Sequence, residues 1–274
     1  MASILLVVHP ERPAAWQLAA DARSWWEQQG REVIELRQAQ DTASLIVGDD
    51  LEFAVSLGGD GTMLRTVDIV LAAGVPVLGV NLGRMGYLTA VEPSGIEPAF
   101  ERMLVGDFLV EERMALEVEL TGSTPGIYTA LNDAIVERTE PGHTVHVAVD
   151  ISGRPFLTYL ADGILVATPT GSTAHNLSAR GPVISPHLKA MILTPVSPHM
   201  LFDRSLVLEP SEQVRLTVVD DSDAAAVIDG SRVFKLRQGD SVTCRPAAQP
   251  ARLVSFGVRD FHAKLRHRFG LTDR

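Results

Sequence analysis

The sequence predicts two domains, an α/β domain with a doubly wound sheet and an all-β domain that follows it. Up to about residue 109, apolar runs alternate with helix-compatible stretches, which is typical of a parallel sheet covered by helices. From 110 to 250, stretches of period-two alternation are separated by turn residues, which is typical of antiparallel strands. A last helical segment, 260–269, has apolar residues at every fourth position and needs a surface to cover them. We therefore expect a Rossmann-like domain at 1–109, a β-rich domain at 110–250, and a C-terminal segment, 251–274, that docks back on the first domain.

The hydrophobic pattern and the helix stop signals place the elements of the first domain. We expect strands at 4–8, 33–36, 53–57 and 75–80, and helices at 14–29, 63–73 and 93–106. Trp25 and Trp26 are adjacent in the first helix, so at least one of the two rings should pack against the sheet.

Composition limits the class of protein. The chain has 274 residues, of which 46% are hydrophobic and 21% charged, as in an ordinary globular protein. Its net charge of −10 disfavours nucleic-acid binding, so an anionic ligand would need a locally positive site. The single cysteine, Cys244, excludes a disulfide framework and is expected in a core strand. The first ten residues match neither a signal peptide nor a membrane span, so we expect a cytoplasmic protein with no membrane partner.

The turn at 57–62, Leu-Gly-Gly-Asp-Gly-Thr, lies between a predicted strand and a predicted helix. Gly58, Gly59 and Gly61 permit positive φ and close approach of a ligand, and amide N–H groups at a helix start attract phosphate. Asp60 lies among them, although a carboxylate repels phosphate. It either caps the helix, takes a proton from an attacking hydroxyl, or holds a divalent cation.

A second glycine-containing turn, Asn-Leu-Gly-Arg-Met-Gly-Tyr-Leu at 81–88, follows the next strand. We expect it beside the first turn, because the carboxyl ends of parallel strands meet at one edge of the sheet. Arg84 either offsets phosphate charge there or is a solvated loop residue.

Two motifs of the second domain carry polar groups after apolar runs. Asn132 and Asp133 either recognise ribose hydroxyls or a base edge, or form an Asx turn. The run at 161–182 ends a strand at Thr168-Pro169 and continues with Thr-Gly-Ser-Thr into a short helix, which makes a surface of amides and hydroxyls. Asp162 precedes that strand, and His175 supplies a planar ring.

Other readings of these residues are weaker. A Ser-His-Asp hydrolase lacks support because the chain has no Gly-x-Ser-x-Gly elbow. His199 is expected to be structural, and 229–232, Asp-Gly-Ser-Arg, is predicted to be a hairpin turn. The chain has neither a P-loop nor a Gly-x-Gly-x-x-Gly fingerprint.

The motifs at 58–62, 81–88, 131–133 and 162–174 resemble those of the NAD kinases in order and approximate spacing. The first turn alone is shared with diacylglycerol and sphingosine kinases and with phosphofructokinases, whereas Thr-Pro-Thr-Gly-Ser-Thr-Ala is close to family-specific. The resemblance covers most of the chain. It implies transfer of the ATP γ-phosphoryl group to the 2′-hydroxyl of the adenosine ribose of NAD, with a divalent cation such as Mg²⁺, in a homodimer or homotetramer.

The resemblance also assigns residues. Asp60 resembles the proton acceptor, and Gly58, Gly59, Gly61 and Thr62 would contact the phosphates of ATP. The positions similar to NAD-contacting residues are Asp60, Gly61, Arg65, Asn132, Asp133, His143, Asp162, Thr173, Ala174, His175, Asn176, Leu177 and Ser178. Three positions depart from the family pattern: Asp133 stands where Glu is usual, His175 where Tyr is usual, and Arg180 where Gly is usual.

Two other functions remain open from the sequence. A kinase of a lipid or sphingoid acceptor would need an apolar acceptor pocket, whereas the run at 168–178 is polar. A non-catalytic dinucleotide sensor would bind NAD tightly without turnover. The residues do not distinguish ATP from polyphosphate as the donor.

Overall fold

The computed structural model describes residues 2–37, 48, 50–83, 86–257 and 260–271. The chain divides into two compact units, the first formed by Met1–Glu112 together with Ala251–Arg274, and the second by Arg113–Pro250. The described residues form five α-helices: α1 (Pro13–Gln28), α2 (Asp60–Val70), α3 (Ile96–Leu104), α4 (His175–Ser178) and α5 (Phe261–Phe269). They also form eighteen strands: β1 (Ser3–Val8), β2 (Glu32–Leu36), β3 (Leu51–Gly58), β4 (Val77–Asn81), β5 (Leu109–Arg113), β6 (Leu116–Thr121), β7 (Gly126–Ala130), β8 (Asp133–Arg138), β9 (Val145–Ile151), β10 (Arg154–Ala161), β11 (Gly163–Ala167), β12 (Met191–Val196), β13 (Leu206–Leu208), β14 (Val214–Val218), β15 (Ala224–Ile228), β16 (Arg232–Leu236), β17 (Ser241–Pro246) and β18 (Ala251–Ser255).

The first unit has a six-stranded sheet in the order β2-β1-β3-β4-β18-β5. The pairs β1–β2, β1–β3, β3–β4 and β4–β18 are parallel, as the α/β pattern predicted. The chain returns to this sheet after the second unit, because β18 comes from the C-terminal segment and enters between β4 and β5. The sequence analysis expected that segment to dock on the first unit but did not predict this strand.

Helix α1 covers the sheet with a face of small residues and one large ring. Ala15, Ala19 and Trp26 are fully buried, and the Trp26 ring stacks on that of Phe53 in β3 with centroids 6.5 Å apart. Trp25 is only partly buried. The expectation that at least one of the two tryptophans packs against the sheet is therefore confirmed.

The second unit has two six-stranded sheets, in the orders β10-β9-β14-β17-β6-β7 and β13-β12-β11-β8-β15-β16. The pairs in both are antiparallel. A core of alternating residues from both sheets lies between them, as the period-two pattern predicted. It includes Cys244, whose thiol pKa burial raises to about 12, so the cysteine is a packing residue.

The outer face of the second sheet is buried as well. Ile135, Leu165 and Ile192 point away from the main core and pack against Ile184 of the segment that follows β11. This explains why β11 is a continuous apolar run and does not alternate.

Helix α5 docks on the first unit through its charged residues. The Arg268 guanidinium lies 4.8 Å from the centroid of the Tyr87 ring, and Lys264 Nζ donates to the Tyr87 carbonyl at 3.4 Å. Asp260 caps the helix by accepting from the Ala263 N–H at 2.9 Å. The predicted return is confirmed, although no residue of α5 is buried. Over the described ranges of the chain, no helix combines the length and apolar character of a membrane span.

Candidate functional site

The Asp60 carboxylate is fixed by the backbone of the second glycine turn. The Tyr87 N–H donates to Asp60 Oδ2 at 3.0 Å, and the Leu88 N–H donates to Asp60 Oδ1 at 3.1 Å. Helix α2 begins at Asp60, three residues earlier than predicted, and Gly59 is its N-cap. The capping interpretation of Asp60 is wrong, because its oxygens accept from another segment and not from the first turn of α2.

Gly86 provides the space that this arrangement needs. A Cβ atom at residue 86 would lie 2.1 Å from Asp60 Oδ1 and 2.6 Å from its Cγ. Only glycine lets the backbone at 86–88 approach the carboxylate this closely. The second turn therefore positions the carboxylate of the first.

The structure contradicts one of the two reasons predicted for the glycines of the first turn, their positive φ. Gly58, Gly59 and Gly61 are absent from the residues with positive φ, so the conformational reason given for them is wrong. A Cβ at Gly58 would lie 2.1 Å from Thr62 Oγ1, so this glycine makes room for a side chain of α2. Around Gly59 and Gly61 a Cβ would meet nothing within 4 Å, which leaves the start of α2 open to a ligand.

Both turns lie at the carboxyl edge of the first sheet, as expected. The Leu82 N–H donates to the Gly58 carbonyl at 2.8 Å, which joins the ends of β3 and β4. Arg12, in the turn after β1, donates to the Leu82 carbonyl at 2.7 Å and brings a cation to the same edge. The sequence analysis missed Arg12, because nothing local distinguishes it from a surface arginine. Arg84, proposed to offset phosphate charge, lies outside the described residues.

In the second unit, one carboxylate holds the Asn132–Asp133 segment. Asp229 accepts from the N–H groups of Leu131 at 2.8 Å, of Asn132 at 2.8 Å and of Asp133 at 3.1 Å. Asp229 lies in the β15–β16 turn at φ 47° and is followed by Gly230 at φ 64°, so the hairpin prediction is confirmed. The sequence analysis predicted the turn but not its hydrogen bonds to the amides of residues 131–133. The Asx-turn alternative for Asn132 and Asp133 did not include these bonds either. The two segments are almost a hundred residues apart, so no local signal could have revealed the contact.

The Thr-Pro-Thr-Gly run packs directly on that segment. The Thr168 hydroxyl donates to the Leu131 carbonyl at 2.6 Å, and the Thr168 N–H donates to the Asn132 carbonyl at 2.8 Å. A Cβ at Gly171 would lie 2.0 Å from the Asn132 carbonyl oxygen, so this position requires glycine. The two motifs that the sequence analysis treated separately therefore form one structure.

Four of the predicted NAD-contacting residues line one cavity of about 360 Å³ in the second unit: Asn132, Asp133, Ala174 and His175. Asp229 and Glu137 line the same cavity and make it acidic. Its volume falls in the range of small-molecule sites. Amide, imidazole and carboxylate groups at its wall provide donors and acceptors for a ligand with hydroxyl groups.

Burial raises the pKa of Asp133 to about 7, with the neighbouring charges of Asp229 and Glu137 adding to the shift. Asp229 is stabilised by three amide donors, whereas Asp133 is 5% exposed and faces two other carboxylates. Near neutral pH, Asp133 is therefore present in both its protonated and its ionised form.

The remaining residues of the 173–178 segment differ in exposure. Asn176 is fully buried, donates to the Pro182 carbonyl at 3.0 Å and accepts from Thr194 Oγ1 at 2.7 Å, so its side chain is used within the chain. The Thr173 hydroxyl donates to the Thr170 carbonyl at 3.3 Å. Leu177 is half-buried and Ser178 is exposed.

Three further predicted residues make contacts within their own units. Arg65, in α2, donates to the Arg37 carbonyl at 3.1 Å. His143 is exposed on the loop before β9, with its Nε2 atom 3.7 Å from Glu140 Oε2. Asp162 accepts from Arg138 Nε at 2.8 Å, and this bond lowers the pKa of the carboxyl.

The carboxylates of the described residues suit a cation that a bound nucleotide brings with it better than a cation coordinated by protein side chains alone. Mg²⁺ usually binds through one or two carboxylates together with substrate phosphates. Within the described part of the chain, no group of three or more His, Cys, Asp or Glu side chains is arranged so that it could hold a metal ion. Asp60, at the open start of α2, is the carboxylate that would contact a phosphate-bound ion.

Comparison with known proteins matches both units. The model of the ATP-NAD kinase N-terminal domain matches residues 26–108, and that of the ATP-NAD kinase C-terminal domain matches residues 131–256. An NAD kinase of Heliobacterium modesticaldum is 39% identical over 98% of this chain and 98% of its own. An NAD kinase of Wolinella succinogenes is 36% identical over 100% of this chain and 97% of its own. This chain belongs to the NAD kinase family.

Solved structures agree on the fold. An NAD kinase from Archaeoglobus fulgidus in complex with ATP superposes with a TM-score of 0.76, at 26% identity over 97% of both chains. Yeast NADH kinase complexed with NADH gives a TM-score of 0.87, at 21% identity over 100% of this chain and 89% of its own. The family therefore accounts for the α/β unit, the β-rich unit and the returning C-terminal segment.

Proposed function

We propose that this chain is an NAD kinase that transfers the γ-phosphoryl group of ATP to the 2′-hydroxyl of the adenosine ribose of NAD, with Asp60 as proton acceptor. The observation that carries the proposal is the Asp60 carboxylate, held by two backbone amides at the open start of α2. Family membership over the whole chain supports the same activity.

The chemistry needs little beyond positioning and charge stabilisation. The ribose O2′ forms a bond to the γ-phosphorus, the bond from that phosphorus to the β,γ-bridging oxygen breaks, and ADP leaves. The hydroxyl proton passes to Asp60 as the new bond forms. The amides at Gly59–Gly61 would lie against the phosphates, and Mg²⁺, when bound, would neutralise charge on them.

The cavity at Asn132, Asp133, Ala174 and His175 supports these residues as contacts of NAD. Contacts through Arg65, His143, Asp162, Thr173 and 176–178 remain predictions that rest on the family pattern. The requirement for a divalent cation, a homodimer or homotetramer, and a cytoplasmic location are likewise proposed.

The decisive experiment measures NADP formation from NAD, ATP and Mg²⁺ by the wild type and by Asp60→Asn. We expect the wild type to form NADP and the variant to lose roughly a hundredfold or more in kcat, because the proton acceptor is removed. An amide oxygen can still accept one hydrogen bond from the 87–88 backbone, so the variant should fold. Asp221→Asn, at an exposed position of the second unit, is the matched control.

Other outcomes would select the alternatives. A folded wild type that binds NAD but forms no NADP would indicate a dinucleotide sensor. Phosphorylation of lipid or sphingoid acceptors without NADP formation would indicate a kinase of another acceptor.

A further inference from the structure

Tyr87 is contacted through its backbone and its ring at once. Its N–H donates to Asp60 Oδ2 at 3.0 Å. On its other side, its carbonyl accepts from Lys264 Nζ at 3.4 Å, and its ring faces the Arg268 guanidinium, which lies 4.8 Å from the ring centroid. Helix α5 therefore holds the same residue whose amide fixes the Asp60 carboxylate.

The fit between α5 and this turn leaves no room for a ligand. Gly86 and Tyr87 on one side and Lys264, His267 and Arg268 on the other enclose a gap of about 10 Å³. A single water molecule needs at least about that volume. The basic side chains of α5 therefore act on the turn itself and not on a molecule bound between the helix and the turn.

The Lys264 hydrogen bond reaches both amides that hold the carboxylate. The Tyr87 carbonyl and the Leu88 N–H belong to one planar peptide group, and that N–H donates to Asp60 Oδ1 at 3.1 Å. A donor on the carbonyl therefore orients this peptide group and strengthens its N–H as a donor. Leu88 is 3% exposed and is fixed by packing, whereas Tyr87 is only half-buried, so its position depends more on α5.

Helix α5 adds little to the stability of the first unit. None of its residues is buried, so it contributes little hydrophobic stabilisation. Its two ends are nevertheless well formed, with Asp260 as the N-cap and Gly270 in the left-handed conformation as the C-cap. Its contacts with Tyr87 therefore indicate a role in the site more than a role in holding the unit together.

We propose that α5 positions the Asp60 carboxylate through Tyr87, with Lys264 and Arg268 as positioning residues for the phosphoryl transfer. This inference rests on the proposed kinase activity. Lys264 orients the peptide group that follows Tyr87, and Arg268 holds the Tyr87 ring by a cation–π contact. Without these two contacts the carboxylate is misplaced relative to the ribose hydroxyl, although every atom needed for the reaction is still present.

Steady-state kinetics of NADP formation by the full chain test the proposal. We expect Lys264→Met and Arg268→Gln each to lower kcat roughly threefold, and the double variant about tenfold, since one weak contact is lost in each case. The KM values for NAD and ATP should stay within about twofold of the wild type, because neither residue is proposed to contact a substrate. Arg268→Lys should restore most of kcat, because a cation over the ring is kept.

Arg266→Gln is the matched control. It removes the same charge from an exposed position of the same helix, and Arg266 does not line the gap against the turn. We expect the kcat of the wild type. A loss equal to that of Arg268→Gln would show that the charge of the helix, and not the contact with Tyr87, matters, and it would overturn the proposal.

A double-mutant cycle with Asp60→Asn separates positioning from a general structural effect. If α5 acts through the carboxylate, Lys264→Met with Arg268→Gln should cause no further loss of kcat once that carboxylate is replaced. A further loss of about tenfold in the Asp60→Asn background would overturn the proposal.

Two other results would also overturn it. A raised KM for ATP with an unchanged kcat would make Lys264 and Arg268 phosphate contacts. A double variant with the kcat of the wild type would leave α5 without a role in the site, while NADP formation by the wild type would still support the kinase proposal. Failure of the kinase proposal is recognised separately, because the wild type itself would then form no NADP.

Discussion

At the scale of single residues, the position of the Asp60 carboxylate depends on a residue with no side chain. Two amide donors fix both carboxylate oxygens, and this geometry exists only because nothing projects from Gly86. A displacement of about 1 Å of a reacting group can cost around a hundredfold in rate. With Asp60 as the proposed proton acceptor, we therefore expect a side chain at residue 86 to lower activity.

We predict that Gly86→Ala lowers kcat for NADP formation by roughly a hundredfold, because the new methyl group displaces the Asp60 carboxylate. Gly83→Ala is the matched control in the same turn. There the new Cβ would meet the guanidinium group of Arg12, with Nη1 nearest at 2.8 Å, and the end of a long side chain can move away. Equal losses in both variants would show that the turn as a whole, and not the contact with Asp60, is responsible.

Asp133 makes stability depend on pH. Its pKa is about 7 in the folded protein against a usual 3.8, so the folded state binds the proton more tightly than the unfolded state. Between these two values the free energy of unfolding must fall as pH rises, and above pH 7 the full penalty of the buried charge is present.

We predict that Asp133→Asn stabilises the protein more at pH 8 than at pH 5, by roughly 2–3 kcal/mol between the two. Urea unfolding at both pH values measures the difference. Asp221→Asn, an exposed carboxylate of the same unit, serves as the reference. A gain that is the same at both pH values would mean that Asp133 is ionised or neutral throughout this range.

At the scale of elements, the β15–β16 hairpin organises the start of β8. Its turn residue Asp229 accepts three consecutive amides, and the Asp229 N–H donates back to the Asp133 carbonyl at 2.9 Å. Thr168 and Gly171 then fit onto the same segment. The hairpin and the start of β8 thus line the cavity of the second unit together, and the Thr-Pro-Thr-Gly turn packs on the same segment.

We predict that Asp229→Ala lowers the free energy of unfolding by about 2–4 kcal/mol and raises the KM for NAD, because three amides lose a charged acceptor. Asp229→Asn should give a smaller effect on both, since asparagine tolerates positive φ and keeps one acceptor oxygen. Ser231→Ala in the same turn should change neither. Urea unfolding and steady-state kinetics measure the two effects, and an unchanged KM in Asp229→Ala would contradict the positioning role.

At the scale of the whole molecule, the last part of the chain completes the first sheet. Strand β18 pairs in parallel with β4, its Leu253 and Val254 are fully buried, and Arg252 Nη1 donates to the Gly74 carbonyl at 2.8 Å. Helix α5 follows it but buries none of its residues. The first unit therefore depends on β18 far more than on α5.

We predict that a chain ending at residue 250 loses the folded first unit, whereas a chain ending at residue 257 keeps it. Removing the buried side chains of β18 costs roughly 5 kcal/mol or more, which is comparable to the stability of a whole domain. Limited proteolysis and far-ultraviolet circular dichroism distinguish the two truncations. Similar protection of residues 1–112 in both would show that the sheet does not need its fifth strand.

The sequence by itself determined the succession of an α/β and a β-rich region, β1 to β4 with the helices between and after them, and the family motifs, because hydrophobic period and glycine turns are local signals. It also indicated that the turns at 57–62 and 81–88 lie together, since parallel strands end at one edge. Only the tertiary structure decided that Gly86 makes room for Asp60, that Asp229 holds residues 131–133, and that β18 enters the first sheet. Each of these is a contact between segments far apart in the chain, and such contacts leave no pattern in either segment alone. The same reason applies to most of the raised pKa of Asp133, which follows from burial and from the charge of Asp229, both decided by the fold, while Glu137 lies on the same strand.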